Sequence, residues 1–186
     1  MKSLNVTLGF RASADLAALA EKDWQPDARL RIDTQYVPSM LNCFDESAAE
    51  LMLRLRDSAE VQNVELALCA LTIDDGRADR HLKNLGALGF GEMVRIDALP
   101  EGIDLRFNPQ AAAKMVAAWH GHSPQRLIVM GMESGDGVDF QTALCLAEAL
   151  GWPCVTQVSD VSLRPEASGE VNEIVVIRRA EAWSKL

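Results

Sequence analysis

Val64-Glu65-Leu66-Ala67-Leu68-Cys69-Ala70-Leu71 is an almost continuous apolar run in which only Glu65 is charged. Runs of this kind are typical of strands that are covered on both faces, as in a parallel sheet between two layers of helices. Shorter apolar runs predict further strands of the same sheet. They lie at residues 4–8 (ending at Gly9), 93–96, 127–130 and 154–158.

Helical patterns separate these strands. Helices are predicted over residues 46–58 with Asp45 as the N-cap, 77–88 closed by Gly89, 109–120 with Pro109 in the first turn, and 140–150 closed by Gly151. Alternating strands and helices predict a three-layer α/β fold, with a mostly parallel sheet and helices on both faces. The length suits a single domain spanning residues 1–186.

The pattern changes after residue 158. Two alternating runs, 161–165 and 173–178, flank the polar stretch 166–170, which predicts a small antiparallel hairpin near the C-terminus. We expect residues 173–178 to pair at one edge of the main sheet. Residues 24–39 have no clear period and are interpreted as an extended excursion between the first strand and the first long helix.

Composition and charge favour a soluble, cytoplasmic protein without membrane insertion. No apolar run approaches the roughly 18 residues that a membrane-spanning helix needs, and the N-terminal residues lack a signal-peptide pattern. A formal net charge of −9 with scattered Lys and Arg argues against nucleic acid as a partner. The four cysteines show no paired spacing, which indicates reduced thiols.

Three loops follow predicted strands, at residues 9–13, 70–75 and 131–140. In open parallel sheets the ligand crevice lies beyond the carboxyl ends of the strands. The third loop is rich in glycine and leads directly into a helix, where free backbone N–H groups can bind a phosphate. The same residues are also typical of an ordinary turn with a helix cap, so the residues alone leave both interpretations open.

Several common sites are absent from the sequence. No G-x-G-x-x-G follows the first strand, and there is no Walker A lysine loop. His120-Gly121-His122 lacks the neighbouring Cys or carboxylates that would complete a metal site. No arrangement of nucleophile and base can be recognised, so we predict neither catalytic residues nor metal ligands.

Two stretches resemble a known family. Asn42-Cys43-Phe44-Asp45-Glu46 looks like the N-P-F-D-E turn that opens a helix in the β subunit of electron transfer flavoproteins, with Cys43 where the family usually has Pro. Residues 146–153, Leu-Ala-Glu-Ala-Leu-Gly-Trp-Pro, resemble that family's L-A-E-x-L-G-x-P helix ending. Residues 85–89 before the strand at 93–96 are similar to a third, weaker family feature. Order and spacing hold across nearly the whole chain.

The resemblance implies an adenine-nucleotide alpha-hydrolase-like fold and a nucleotide site. In this family the β subunit pairs with an α subunit that carries the redox FAD, and itself holds AMP or, in electron-bifurcating relatives, a second FAD. The residues after Leu71 would close the pocket. The cofactor-binding residues implied by the matching motifs are Gly9, Asn42, Cys43, Phe44, Asp45, Ser134, Asp136, Asp139, Gln141 and Thr142.

The implied function is that of an electron carrier subunit rather than a catalyst in its own right. It would scaffold an FAD-bearing α-like partner and carry electrons from a flavin dehydrogenase to an acceptor. The alternative is a stand-alone adenine-nucleotide-binding regulatory domain without a redox role. Phe140 and Ala143 replace small residues of the family pattern. Family members also usually run further, through a dehydrogenase-docking loop and an arm around the α subunit, so we expect a C-terminally truncated or divergent member.

Overall fold

The computed structural model describes residues 3–28, 30–74, 76–97, 104–132, 141–165 and 171–178. Within this part of the chain, eight strands and four α-helices alternate much as the sequence predicts. In chain order they are β1 (Ser3–Gly9), β2 (Ala12–Ala14), β3 (Ser39–Leu41), α1 (Cys43–Val61), β4 (Glu65–Ile73), α2 (Asp79–Ala87), β5 (Glu92–Ile96), α3 (Pro109–His122), β6 (Leu127–Met130), α4 (Gln141–Leu150), β7 (Val158–Pro165) and β8 (Val171–Arg178).

Four of the described strands form a parallel sheet in the order β5-β4-β1-β6. β1 is an inner strand because it pairs with both β4 and β6, so Gly9 lies opposite Leu71 on one side and Met130 on the other. This register brings the carboxyl ends of β1, β4 and β6 to the same edge of the sheet. The prediction of a mostly parallel sheet is confirmed.

Helices cover both faces of this sheet. Met52 and Leu55 of α1 and Leu85 of α2 pack with the β1 side chains Val6 and Leu8, all nearly inaccessible to solvent. On the other face α3 and α4 form a second cluster around Leu71 of β4. Burial of each large apolar side chain stabilises the fold by about 1.5–3 kcal/mol. The three-layer α/β prediction is therefore confirmed.

The two glycines predicted to close helices are confirmed in that role, although α1 runs three residues further at each end than the predicted 46–58. Gly89 and Gly151 have φ values of +108° and +64°, in the left-handed region that ends a helix and that glycine adopts without strain. The prediction of Asp45 as N-cap of α1 is wrong. Asn42 is the N-cap, because its side chain accepts a hydrogen bond from the Phe44 backbone N–H at 3.4 Å.

The C-terminal hairpin is confirmed as β7 and β8, but its position differs from the prediction. These strands form a separate two-stranded antiparallel sheet rather than an edge of the main sheet. The predicted strand at residues 154–158 is also wrong, since β7 begins only at Val158. Val155 is half exposed, and Gln157 has a φ of 58°, which interrupts an extended chain. The predicted turn at 166–170 lies outside the described residues.

The excursion before α1 contains structure that the sequence did not indicate. β2 and β3 pair antiparallel, with Ala12 opposite Leu41 and Ala14 opposite Ser39. Between them, the described part of residues 24–38 contains no helix or strand, in agreement with the predicted excursion. None of the described helices combines the length and apolar character needed to cross a membrane.

Candidate functional site

The predicted site segments meet at the carboxyl edge of the sheet. The loops after β1, β4 and β6 leave from neighbouring strands, and the Phe10 N–H donates a hydrogen bond to the Leu71 carbonyl at 3.0 Å. β3 leads directly into α1, so the start of that helix reaches the same edge through its contacts with β1 and β6. This is the position where open α/β sheets form ligand crevices.

Asn42, Cys43 and Phe44 form the entry to α1. Asn42 is 8% exposed, and its Oδ1 accepts hydrogen bonds from the Phe44 N–H and from the Cys43 thiol, whose Sγ lies 3.7 Å away. Cys43 is exposed and Phe44 is partly buried. A capping side chain of this type satisfies one of the free N–H groups at the helix start. The geometry of this entry is therefore fixed by Asn42.

Asp45 connects this helix start to two strand ends. Its side chain is almost fully buried; Oδ1 accepts a hydrogen bond from the Gly131 N–H at 3.0 Å, and Oδ2 accepts one from the Arg11 N–H at 3.2 Å. Burial raises the pKa of Asp45 to about 6, although both N–H groups and the Arg11 guanidinium favour the ionised carboxylate. We call these three residues, Arg11, Asp45 and Gly131, the Asp45 junction.

Gly131 touches the helix start so closely that no other residue fits without a shift. A Cβ at this position would lie 2.3 Å from Asp45 Oδ1, 2.8 Å from the Asp45 backbone N and 2.9 Å from the Phe44 carbonyl carbon. Two of these three atoms belong to the backbone of α1, which cannot move independently. At Gly9, by contrast, the three atoms nearest to an added Cβ all belong to the flexible side chain of Met130, whose Cε would lie 2.7 Å away.

The remaining predicted site residues fall into two groups. Gln141 and Thr142 are the first residues of α4, where Gln141 is exposed and Thr142 partly buried. α4 packs with α3 on the face of the sheet opposite α1, so these residues approach the edge from the other side. Ser134, Asp136 and Asp139, together with Phe140, lie outside the described residues.

Two further residues organise this edge, and neither was among the predicted site residues. Arg11 acts through its backbone N–H, which no side-chain pattern can indicate. Asp74 directly follows β4, and its Oδ2 accepts hydrogen bonds from the Gly76 N–H at 2.9 Å and the Ala78 N–H at 2.6 Å, which folds the loop before α2. In the sequence, Asp74 and Asp75 are interpreted as capping residues before the next helix, which indicates a local backbone role of this kind.

A cleft of about 210 Å³ opens beside β2 and β3, and no predicted site residue is among its lining. Its described lining comprises Ala12, Ser13, Ala14, Thr34, Gln35, Val37, Ser39 and Arg77. At its border Ser39 Oγ lies 3.1 Å from His81 Nε2 and 3.3 Å from the Arg77 carbonyl oxygen. Burial, together with the nearby Arg80, lowers the pKa of His81. These contacts connect β3 to α2 and are sufficiently explained as packing.

Comparisons with known proteins agree on one family. The electron transfer flavoprotein domain matches residues 29–184. A putative electron transfer flavoprotein subunit, YgcR of Escherichia coli (strain K12), is 38% identical over 162 residues, which is 86% of this chain and 60% of the relative. A mitochondrial electron transfer flavoprotein subunit beta of Oryza sativa subsp. japonica is 29% identical over 150 residues, covering 81% and 57% of the two chains.

A more distant relative is also an electron transfer flavoprotein subunit. The electron transfer flavoprotein subunit beta of Dictyostelium discoideum is 24% identical over 143 residues, or 77% of this chain and 54% of the relative. This chain therefore spans little more than half the length of these curated relatives. The matched region includes α1, all the strands after β2 and the Asp45 and Gly131 components of the junction.

Proposed function

This chain belongs to the electron transfer flavoprotein family, and from that premise we propose that it is a β-like electron-transfer subunit that holds an adenine nucleotide and supports an FAD-bearing α-like partner. The observation that carries the proposal is the Asp45 junction. It fixes the start of α1 against the ends of β1 and β6, at the edge where the family resemblance locates the nucleotide. The nucleotide is AMP or FAD.

The chemical types of the residues fit such a ligand. The first backbone N–H groups of α4, at Gln141 and Thr142, suit a phosphate, because a helix start carries a partial positive charge of roughly half a unit. The charge of Asp45 does not oppose this, since it is directed toward two backbone N–H groups and the Arg11 guanidinium. Asn42 and Phe44 would line the adenosine side.

The chain contributes binding and exclusion of water rather than bond-making chemistry. FAD on the partner supplies the redox chemistry when it is bound. In the proposed complex, this chain's own residues hold the nucleotide and cover one side of the partner. Electrons from a flavin dehydrogenase can then cross the complex without contact with solvent.

A pair of charge-adding substitutions tests the nucleotide site. Gln141 and Gln110 are both exposed and both lie in the first turn of a helix, α4 and α3 respectively. A Glu at either position suits the helix dipole, so the fold should be preserved. We expect Gln141→Glu to weaken nucleotide binding about tenfold by repelling the phosphate, because each charge-assisted hydrogen bond there contributes about 1.5–3 kcal/mol. Gln110→Glu should bind as the wild type does.

Nucleotide binding by the wild type and the two variants is measured by extraction of nucleotide from the purified proteins and by calorimetry with AMP and FAD. If the wild type binds neither compound, the nucleotide role is removed and only the partner-binding role remains. Equal affinity of Gln141→Glu and wild type would mean that α4 does not contact the phosphate.

The partner is tested through the exposed apolar residues of the excursion before α1. Trp24 is 47%, Tyr36 59% and Leu30 86% exposed, all within a short segment that a second chain would cover. Val61 at the end of α1 is 84% exposed and serves as a matched control. We expect Leu30→Asp, but not Val61→Asp, to weaken association with a co-encoded α-like subunit in size-exclusion chromatography. A wild-type chain that stays monomeric with that subunit would favour the regulatory-domain alternative.

A further inference from the structure

The two oxygens of Asp45 serve two different loops. Oδ1 accepts from Gly131 in the loop after β6, and Oδ2 accepts from Arg11 in the loop after β1. An ionised carboxylate is an acceptor at both oxygens, whereas a protonated one presents an O–H donor at one of them. The oxygen that carries the proton is a weaker acceptor, and a proton directed at the facing backbone N–H prevents the hydrogen bond. Proton uptake by Asp45 therefore costs one of the two loop contacts.

We propose that Asp45 is a positioning residue of the nucleotide site, whose negative charge holds the loops after β1 and β6 together and which releases one of them when it takes up a proton. The part of this inference that concerns nucleotide rests on the proposed function; the release of a loop does not. The Asp45 junction is well placed for this role, because Gly131 directly follows β6 and lies on the connection from β6 to α4.

The surroundings of Asp45 set the pH at which it takes up a proton and releases one loop. Burial raises its pKa to about 6, close to neutrality, against the opposing effect of the two N–H groups and Arg11. Arg11 is the charged group that faces Asp45 from the loop after β1. It also helps Arg106 to lower the pKa of Asp104. β1 and β6 carry no titratable side chain, and Glu46, next to Asp45 on α1, is exposed.

The acidic residues of the β6–α4 loop, Glu133, Asp136 and Asp139, lie outside the described residues. With acidic residues in this loop of the sequence, the direction in which nucleotide affinity changes with pH distinguishes two mechanisms. If nucleotide needs both loops in place, its affinity must fall about tenfold between pH 7 and pH 5, as the ionised fraction of a group with a pKa of about 6 falls. Simple repulsion between Asp45 and a phosphate would instead make affinity rise on acidification.

The first experiment follows the backbone amides of Arg11 and Gly131 by nuclear magnetic resonance in the chain without nucleotide. Both amide shifts should titrate with one midpoint near pH 6, and one of the two amides should lose most of its hydrogen-exchange protection below it. Protection factors are compared because intrinsic exchange itself depends on pH. Shifts and protection that stay constant from pH 7 to pH 5 would overturn the proposal, whether or not nucleotide binds.

The second experiment uses FAD as the probe, because its pyrophosphate does not titrate in this range. Binding near pH 6 should release a fraction of a proton, measured by calorimetry in two buffers of different ionisation enthalpy. Asp45→Asn should bind FAD with the weaker, low-pH affinity throughout, since an amide has only one acceptor oxygen. Proton uptake on binding, or an Asp45→Asn variant with the wild-type pH profile, would overturn the positioning role.

Asp74→Asn is the matched control for the amide measurement. Its Oδ2 alone accepts both the Gly76 and Ala78 N–H groups, so an amide oxygen can replace it without loss of a contact. This variant should keep the titration of the Arg11 and Gly131 amides. If FAD does not bind to the wild type while these amides titrate as expected, the proton-dependent release stands and the proposed nucleotide function fails.

Discussion

Replacement of Gly131 by Ala tests how strictly the Asp45 junction is packed. The new Cβ would lie 2.3 Å from Asp45 Oδ1 and under 3.0 Å from two backbone atoms of α1. To restore ordinary van der Waals separation, β6 and α1 must part by on the order of 1 Å. Such overpacking costs about 1–3 kcal/mol, and loss of the charge-assisted hydrogen bond from Gly131 to Asp45 costs about 1.5–3 kcal/mol more.

We therefore expect Gly131→Ala to lower the free energy of unfolding by about 3 kcal/mol or more, measured by chemical denaturation. For a chain of this size that corresponds to a fall in melting temperature of roughly 6–12 °C. Gly121→Ala in α3 is the control, because nothing lies within 4 Å of a Cβ there. It should stabilise the helix by up to about 1 kcal/mol. Equal stabilities of the two variants would refute the close packing inferred at Gly131.

Three further substitutions address the start of α1, each by chemical denaturation. Asn42→Ala should cost about 0.5–2 kcal/mol through loss of the helix cap, whereas a wild-type stability would contradict its assignment as N-cap. Cys43→Pro should leave stability unchanged or raise it by up to about 1 kcal/mol, since Pro suits the first helical position and Asn42, at φ −63° and ψ 140°, already has the conformation that precedes Pro. The pKa of Asp45 is about 6 when folded and 3.8 when unperturbed, so folding favours the protonated form. The unfolding free energy of the wild type, relative to that of Asp45→Asn, should thus rise by roughly 2 kcal/mol as pH falls from 7 to 4. This added stability should be lost again as pH rises through about 6.

The strands and helices that could be predicted are those whose local sequence alone determines their secondary structure. β4 and β6 are confirmed because a strand between two helix layers must be apolar on both faces, which is visible in the local sequence. β2 and β3 are only three residues long, too short for an alternating pattern. Residues 154–158 are rich in the β-branched residues that favour strands. The pairing of β7 with β8 nevertheless determines where extended structure begins, and the local sequence does not encode that choice.

The sequence predicted where the candidate site lies, at the carboxyl edge of the sheet, but not the hydrogen bonds that its residues form. Asn42 and Asp45 are both good N-cap residues, so the local sequence could not decide between them. The decision depends on Gly131, which lies 86 residues further along the chain and binds the carboxylate of Asp45. Likewise, the resemblance assigned Asp45 to a nucleotide, whereas in the described residues both its oxygens are bound to the protein's own backbone.

The inner position of β1 in the sheet affects how the chain folds during synthesis as well as where its candidate site lies. β1 emerges from the ribosome well before its neighbours β4 and β6, which begin only at Glu65 and Leu127. Until Met130 has left the exit tunnel, the apolar residues of β1 have an unpaired edge on at least one side. Contacts over such separations form slowly, and exposed strand edges promote aggregation. Nascent chains that end before Leu127 should therefore depend on chaperones that bind emerging apolar segments.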